Sequence, residues 1–97
     1  MKVRFSPLAT DDIIQIANYL TERNPRAALA IDTAIRGAVR LLGEFPGSGR
    51  ALTQRPDVQV MPLVRYPYLI FYTAIGGDVL VLHVRHGARA PVMPDEL

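Results

Sequence analysis

Ninety-seven residues suffice for a single domain spanning residues 1–97, because a chain of this size buries roughly two-thirds of its unfolded surface. The apolar share of 49% is that of an ordinary soluble globule, and a net charge of +2 does not by itself argue for nucleic-acid binding. The lack of cysteine excludes a disulfide framework, a thiolate nucleophile and a sulfur metal site. No apolar run approaches a membrane span and no signal-type apolar region opens the chain, so a cytoplasmic protein with no membrane partner is expected.

Residues Lys2 to Ser6 alternate polar and apolar side chains and predict a short first strand. Ser6-Pro7 then starts a helix, since serine caps free N–H groups and proline in the first turn loses no hydrogen bond. Asp11 and Asp12 fall in its early turns, where the helix dipole favours negative charge. Ala9, Ile13, Ile16 and Leu20 mark one apolar face, and the helix is expected to stop near Arg23. Asn24-Pro25 repeats the start signal for a second helix with apolar positions Ala28, Ile31, Ile35, Ala38, Leu42 and Phe45. The short joint predicts an αα-hairpin. Asp32 and Arg36, four apart, form a surface pair. Gly37 and Gly43 each weaken a helix by roughly 1 kcal/mol, which implies a packing reason that the sequence does not identify.

Phe45-Pro46-Gly47-Ser48-Gly49-Arg50 ends the helix. Val58 to Arg65 predicts a strand, with Pro62 placing it on an edge or at a bulge. Tyr68 to Ile75 is apolar on both faces and reads as a central strand. Gly76-Gly77-Asp78 turns the chain into a last strand, Val79 to His86, making a hairpin. The expected fold class is α+β, in the order β-α-α-β-β-β, with the helical hairpin on one face of a small, mostly antiparallel sheet. Strict alternation along the last strand assigns Leu80, Leu82 and Val84 to the core and Val79, Val81, His83 and Arg85 to the opposite face. That second face is expected to be a partly open groove carrying aromatics and cations.

The last strand ends in His83, Arg85, His86 and Arg89, with no acidic residue between Val79 and Pro94. Like charges held together repel, so a cationic cluster without local carboxylates is a candidate contact surface for a phosphate or an acidic protein. Ten of the eleven cations are arginine, whose planar fork suits bidentate contact. Arg65 belongs with this rim, and Arg50, after Gly49, either cradles the loop or lines the groove. Tyr66, Tyr68 and Tyr72 read as core or groove-wall aromatics. His83, on a strand, reads more readily as bonded within the fold than as catalytic. Two histidines without cysteine or a carboxylate cluster argue against a metal site, and no cofactor is called for.

The order β-α-α-β-β-β resembles the RelE/ParE toxin superfamily. So do the Phe45-Pro46-Gly47-Ser48-Gly49-Arg50 turn, the Tyr66-Pro67-Tyr68-Leu69-Ile70-Phe71-Tyr72 segment and the closing His83-Val84-Arg85-His86-Gly87-Ala88-Arg89. The resemblance runs from Phe5 to Pro91. It implies the toxin of a bacterial toxin–antitoxin pair, neutralised by a cognate antitoxin and meeting operator DNA only through that antitoxin. RelE-like members are implied to cut mRNA in the ribosome, which requires a base, an acid and cations on the developing phosphorane. His83, Arg85, His86, Arg65 and Arg50 are the groups available for that chemistry. RelE-like sequences commonly carry a tyrosine beyond the last strand and several lysines, and this chain has neither. ParE-like members are implied to inhibit DNA gyrase by protein–protein contact, and the closing pattern resembles that branch better. On that reading Arg85, His86 and Arg89 meet the target, while Arg50, Arg65, Tyr68, Tyr72 and His83 belong to the groove or antitoxin surface. A ribosome-dependent nuclease and a non-toxic binding module of the same fold are the alternatives.

Overall fold

The computed structural model of the chain describes residues 1–87. Strand β1 (Val3–Phe5) leads into helix α1 (Pro7–Arg23) and helix α2 (Pro25–Glu44). A 3₁₀ turn (Pro46–Ser48) precedes strands β2 (Arg50–Ala51), β3 (Gln59–Pro62), β4 (Tyr68–Ile75) and β5 (Asp78–His86). Both helix starts are those expected from Ser-Pro and Asn-Pro. Ser6 Oγ accepts from Ala9 N at 3.0 Å, and Asn24 Oδ1 accepts from Ala27 N at 3.2 Å. Asn24 also donates its backbone N–H to Leu20 O, so one residue closes α1 and opens α2. The hairpin follows from this shared cap.

The five strands form one sheet in the order β1-β5-β4-β3-β2. Three of the four pairings are antiparallel, and β1 runs parallel to β5 with Val3 opposite Val79 and Phe5 opposite Val81. As expected, β4 is central and an α+β fold results. The β4–β5 hairpin turns through Gly76 (φ 56°) and Gly77 (φ 83°), two successive left-handed residues that match the strand twist. The β3 strand is shorter than expected. Pro62 is its last residue, and β2 pairs only with Gln59 and Val60, so the missing N–H faces no neighbouring strand.

The main core lies between the helical hairpin and one sheet face, and joins Ala9, Ile31, Ile35 and Leu42 to Met61, Ile70, Tyr72, Val79, Val81 and Val84. Alternation along β5 is where the expectation fails. Val79 and Val81 are fully buried in the helix-side core, whereas Leu80 and Leu82 are only half-buried. The cause is a register shift between Phe71 and Tyr72: Phe71 pairs with His83 and Tyr72 with Val81, which leaves Leu82 as an extra residue. One inserted residue exchanges the faces beyond it, so Val84 rejoins the core.

The second sheet face also differs from the expected open groove. Val58 and Phe71 are buried there, with Leu52, Val60, Leu69 and Leu82 packed around them. The segment from 52 to 58 folds over this face, held by Leu52 N to Val58 O at 2.9 Å and Thr73 Oγ1 to Asp57 O at 2.6 Å. Tyr68 and Tyr72 point instead into the helix-side core. At the end of α2, Phe45 was expected in the apolar stripe but is 60% exposed, because the chain leaves the helix at that residue. Gly43 has the packing reason that the sequence lacked: a Cβ there would stand 3.2 Å from Met1 O.

Tyr72 anchors the loop after α2. Its hydroxyl accepts from Gly49 N at 2.8 Å and donates toward Pro46 O at 2.8 Å, with Gln59 Oε1 beside it. A Cβ on Gly49 would lie 2.6 Å from that hydroxyl and 2.9 Å from Val60 O. Gly49→Ala should therefore lower stability by about 1–3 kcal/mol, read as a shift of the urea midpoint. Tyr72→Phe takes the partner from a part-buried donor and acceptor and should cost about 0.5–1.5 kcal/mol. Burial also pushes the Tyr72 hydroxyl above its ordinary pKa of 10.0. The folded protein therefore holds this proton more tightly than the unfolded chain. Its contribution is fully present below about pH 10 and is lost as pH rises toward the folded value. Urea titrations at about pH 9 and about pH 11 should show this alkaline loss in the parent and a smaller one in Tyr72→Phe.

Candidate functional site: the cationic end of the last strand

The end of β5 is where the predicted cluster lies, and the structure supplies the carboxylate that the local sequence lacks. Asp12, in the second turn of α1, reaches β5. Its Oδ2 lies 3.0 Å from His83 Nδ1, 3.0 Å from Val84 N and 3.6 Å from Arg85 Nε. Residues 12 and 83 are 71 positions apart, so the cluster is not unbalanced as the sequence suggests. Because a carboxylate oxygen only accepts, His83 Nδ1 must carry the hydrogen. The Arg85 Nη2 atom, 3.4 Å from the same nitrogen, is therefore a close neighbour rather than its hydrogen-bond donor.

Burial grades these groups. The His83 side chain is 4% exposed, Asp12 15% and Arg85 39%. His86 is half-buried and meets Tyr68 edge to face, with ring centroids 5.3 Å apart and planes at 80°. Between α1 and this strand end is a cleft of about 300 Å³ lined by Asp12, Gln15, Ile16, Tyr19, Tyr68, Val84, Arg85 and His86. The Arg23 guanidinium lies over the Tyr19 ring, 3.8 Å from its centroid, a cation–π contact that adds a further cation near the cleft. The cleft is thus amphipathic, with aromatic and aliphatic walls and a cationic rim.

Not all the predicted residues converge here. Arg65 sits exposed, at φ 74°, in the segment joining β3 to β4. That segment closes on the strand end through Gly87 N to Pro67 O at 2.6 Å, so Arg65 shares this end of the sheet without lining the cleft. Arg50 is exposed on β2, opposite Val60. Three strand spacings separate β2 from β5, about 14 Å, and Arg50 is no part of the cluster. Tyr72 is 1% exposed and engaged with Gly49 and Pro46, so it walls no groove. Arg89 lies outside the described residues.

Sequence reasoning missed Asp12, Tyr19 and Arg23. Asp12 did carry a signal. It stands three residues after Ala9 and four before Ile16, on the stripe that faces the core, where a carboxylate needs a partner. No group of three or more metal-ligating side chains occurs among the described residues. None of their helices is long and apolar enough to cross a membrane.

A solved chain described as the chromosomal ParDE TA system from P. aeruginosa superposes with a TM-score of 0.76 at 20% identity, over 89% of this chain and 95% of that one. Toxin RelE1 of Caulobacter vibrioides is 31% identical over 85 residues, covering 88% of this chain and 91% of the relative. Toxin RelE2 of the same organism is 32% identical over 82 residues, with coverage of 84% and 89%. The family model described as the ParE toxin of the type II toxin-antitoxin system, parDE, matches residues 3–91. The chain belongs to this family of type II toxin–antitoxin toxins, within the RelE/ParE superfamily.

Replacing Asp12 by alanine should test whether the cluster holds α1 to β5. The change leaves His83 Nδ1 and Val84 N without their acceptor and removes the counter-charge of Arg85. Stability should fall by about 2–5 kcal/mol, measured by urea unfolding. A loss below about 1 kcal/mol, the scale of an exposed pair, would show that the cluster contributes no more than a surface contact.

Proposed function

We propose that this chain acts as a single-domain cytoplasmic toxin that inhibits DNA gyrase by protein–protein contact and is neutralised by a cognate antitoxin. Family membership supports the toxin role. The parDE description of the family and the ParDE solved neighbour support an antitoxin partner. The observation that carries contact over chemistry is the Asp12 carboxylate at the heart of the cationic cluster. Phosphoryl transfer needs an accessible proton acceptor and several cations converging on one phosphorane. Here His83 is buried with Nδ1 committed to Asp12, Arg85 turns its Nε toward the same carboxylate, and Arg50 stands three strands away. What remains outward among the described residues is Arg85 and the half-buried His86 beside an amphipathic cleft, with Arg65 exposed at the same end of the sheet, an arrangement that suits a protein surface. Arg89, outside the described residues, follows this strand end in sequence and belongs to the same proposed contact set.

A ribosome-dependent mRNA endoribonuclease is the second reading, and the RelE names of the Caulobacter relatives favour it. Induction separates the two. A gyrase inhibitor should block supercoiling in a purified assay and raise a DNA-damage response while transcripts stay intact. Rapid transcript cleavage on induction, with supercoiling unaffected, would overturn the proposal and point to His86, Arg85 and Arg65 as the groups to replace. Co-expression with the antitoxin should restore growth.

A further inference from the structure

Three donors on the buried side of the cleft converge on one oxygen. His83 Nδ1 and Val84 N, each 3.0 Å away, hold Asp12 Oδ2 in place. The carboxylate in turn faces Arg85 Nε at 3.6 Å. That nitrogen is buried and makes no hydrogen bond, so charge attraction rather than a bond directs it. Nη2 lies on the same inward side, 3.4 Å from His83 Nδ1. The side chain is still 39% exposed and lines the cleft, so the edge away from the buried Nε is the one open to a partner.

We propose that Asp12 is a positioning residue for target recognition: it sets the direction in which Arg85 offers its outward edge to an acceptor oxygen of the target protein. A guanidinium is a rigid planar fork, so fixing one edge fixes the other. An arginine held in this way loses its rotamer freedom before it meets the target, and binding then forfeits less entropy. The carboxylate also offsets the charge of Arg85 beside the buried His83 ring. This inference rests on the reading of the chain as a contact inhibitor, but it does not require that the target be gyrase.

Asp12→Asn isolates the effect. The amide oxygen can still accept from Val84 N and His83 Nδ1, while the charge that orients Arg85 is gone. The protein level needed to halve growth on graded induction should rise by about tenfold or more. Asp12→Glu restores the charge on a longer arm and should recover part of the loss. Asp32→Asn, which removes the exposed pair with Arg36 on α2, should change nothing. Two readouts separate positioning from general destabilisation. Arg85→Gln should weaken toxicity, and adding Asp12→Asn to it should weaken it no further, because the two residues act through one contact. Nitrogen-15 relaxation at Arg85 Nε should report a rigid group in the parent and a mobile one in Asp12→Asn. An Arg85 Nε that stays rigid in Asp12→Asn, or two losses that multiply, would overturn the proposal. Full toxicity in Arg85→Gln would instead sink the contact surface itself, and absence of gyrase inhibition alone would leave these outcomes readable through growth.

Discussion

The extra residue in β5, Leu82, is the constraint on which the arrangement around the site depends. Up to Val81 the strand is flanked by β1 and its side chains alternate into the helix-side core. At the bulge the pairing with β4 skips a residue, and the local backbone is taken up by the start of α1. Ser6 N donates to Val81 O at 2.9 Å and Ser6 Oγ donates to Leu82 O at 2.8 Å. The same hydroxyl caps α1 through Ala9 N. One serine therefore ends β1, starts α1 and pins that start to the irregular point of β5. Two turns of proximity follow from this pin, and they bring Asp12 alongside His83 and Val84.

The opposite side of the molecule is held by a different device. Tyr72 stands in the central strand, and its hydroxyl reaches the loop that leaves α2. Only a residue without a Cβ fits at Gly49 against that ring and the Val60 carbonyl. Together with the shared Asn24 cap, this fixes the helical hairpin to the sheet at the exit of α2, as Ser6 fixes it at the entry of α1. The segment from 52 to 58 then covers the second face. Its Arg55–Asp57 pair makes two parallel hydrogen bonds, at 3.0 and 2.9 Å, and the guanidinium holds the Asp57 carboxyl below its ordinary pKa. Val58 and Phe71 are thereby buried on the second face, and the cleft by Asp12 is an amphipathic concavity beside the cationic strand end.

The charge arrangement in that cleft links fold to function. A buried imidazole and a partly buried guanidinium two positions apart on β5 are tolerable because a single carboxylate accepts from His83 Nδ1 and Val84 N and offsets the charge of Arg85. On the proposed reading, Arg85 divides its two edges: the inward one serves structure and the outward one serves recognition. Such a division suits a surface that meets a protein more than one that must gather charge around a phosphate.

Wherever an element depends on neighbours in sequence, its position was legible from the residues alone. Ser6-Pro7 and Asn24-Pro25 place the helix starts, because a cap bonds to a donor three residues on. The stripes Ala9–Leu20 and Ile31–Leu42 face the core, because helical period is a local property. Gly76-Gly77 turns the hairpin, because left-handed φ is local too. The superfamily was legible in the same way, from the order of these elements and the closing motif. What the tertiary structure decided depends on residues far apart. The parallel pairing of Val3 with Val79, the bulge at Leu82, the hold of Tyr72 on Gly49 and the carboxylate of Asp12 beside His83 all join distant segments. Strict alternation cannot foresee a bulge, since one inserted residue exchanges both faces without altering composition. A count of acids near the strand cannot see a carboxylate delivered by a helix. The cationic residues were named by the sequence, but which of them face inward was settled only when α1 packed on β5.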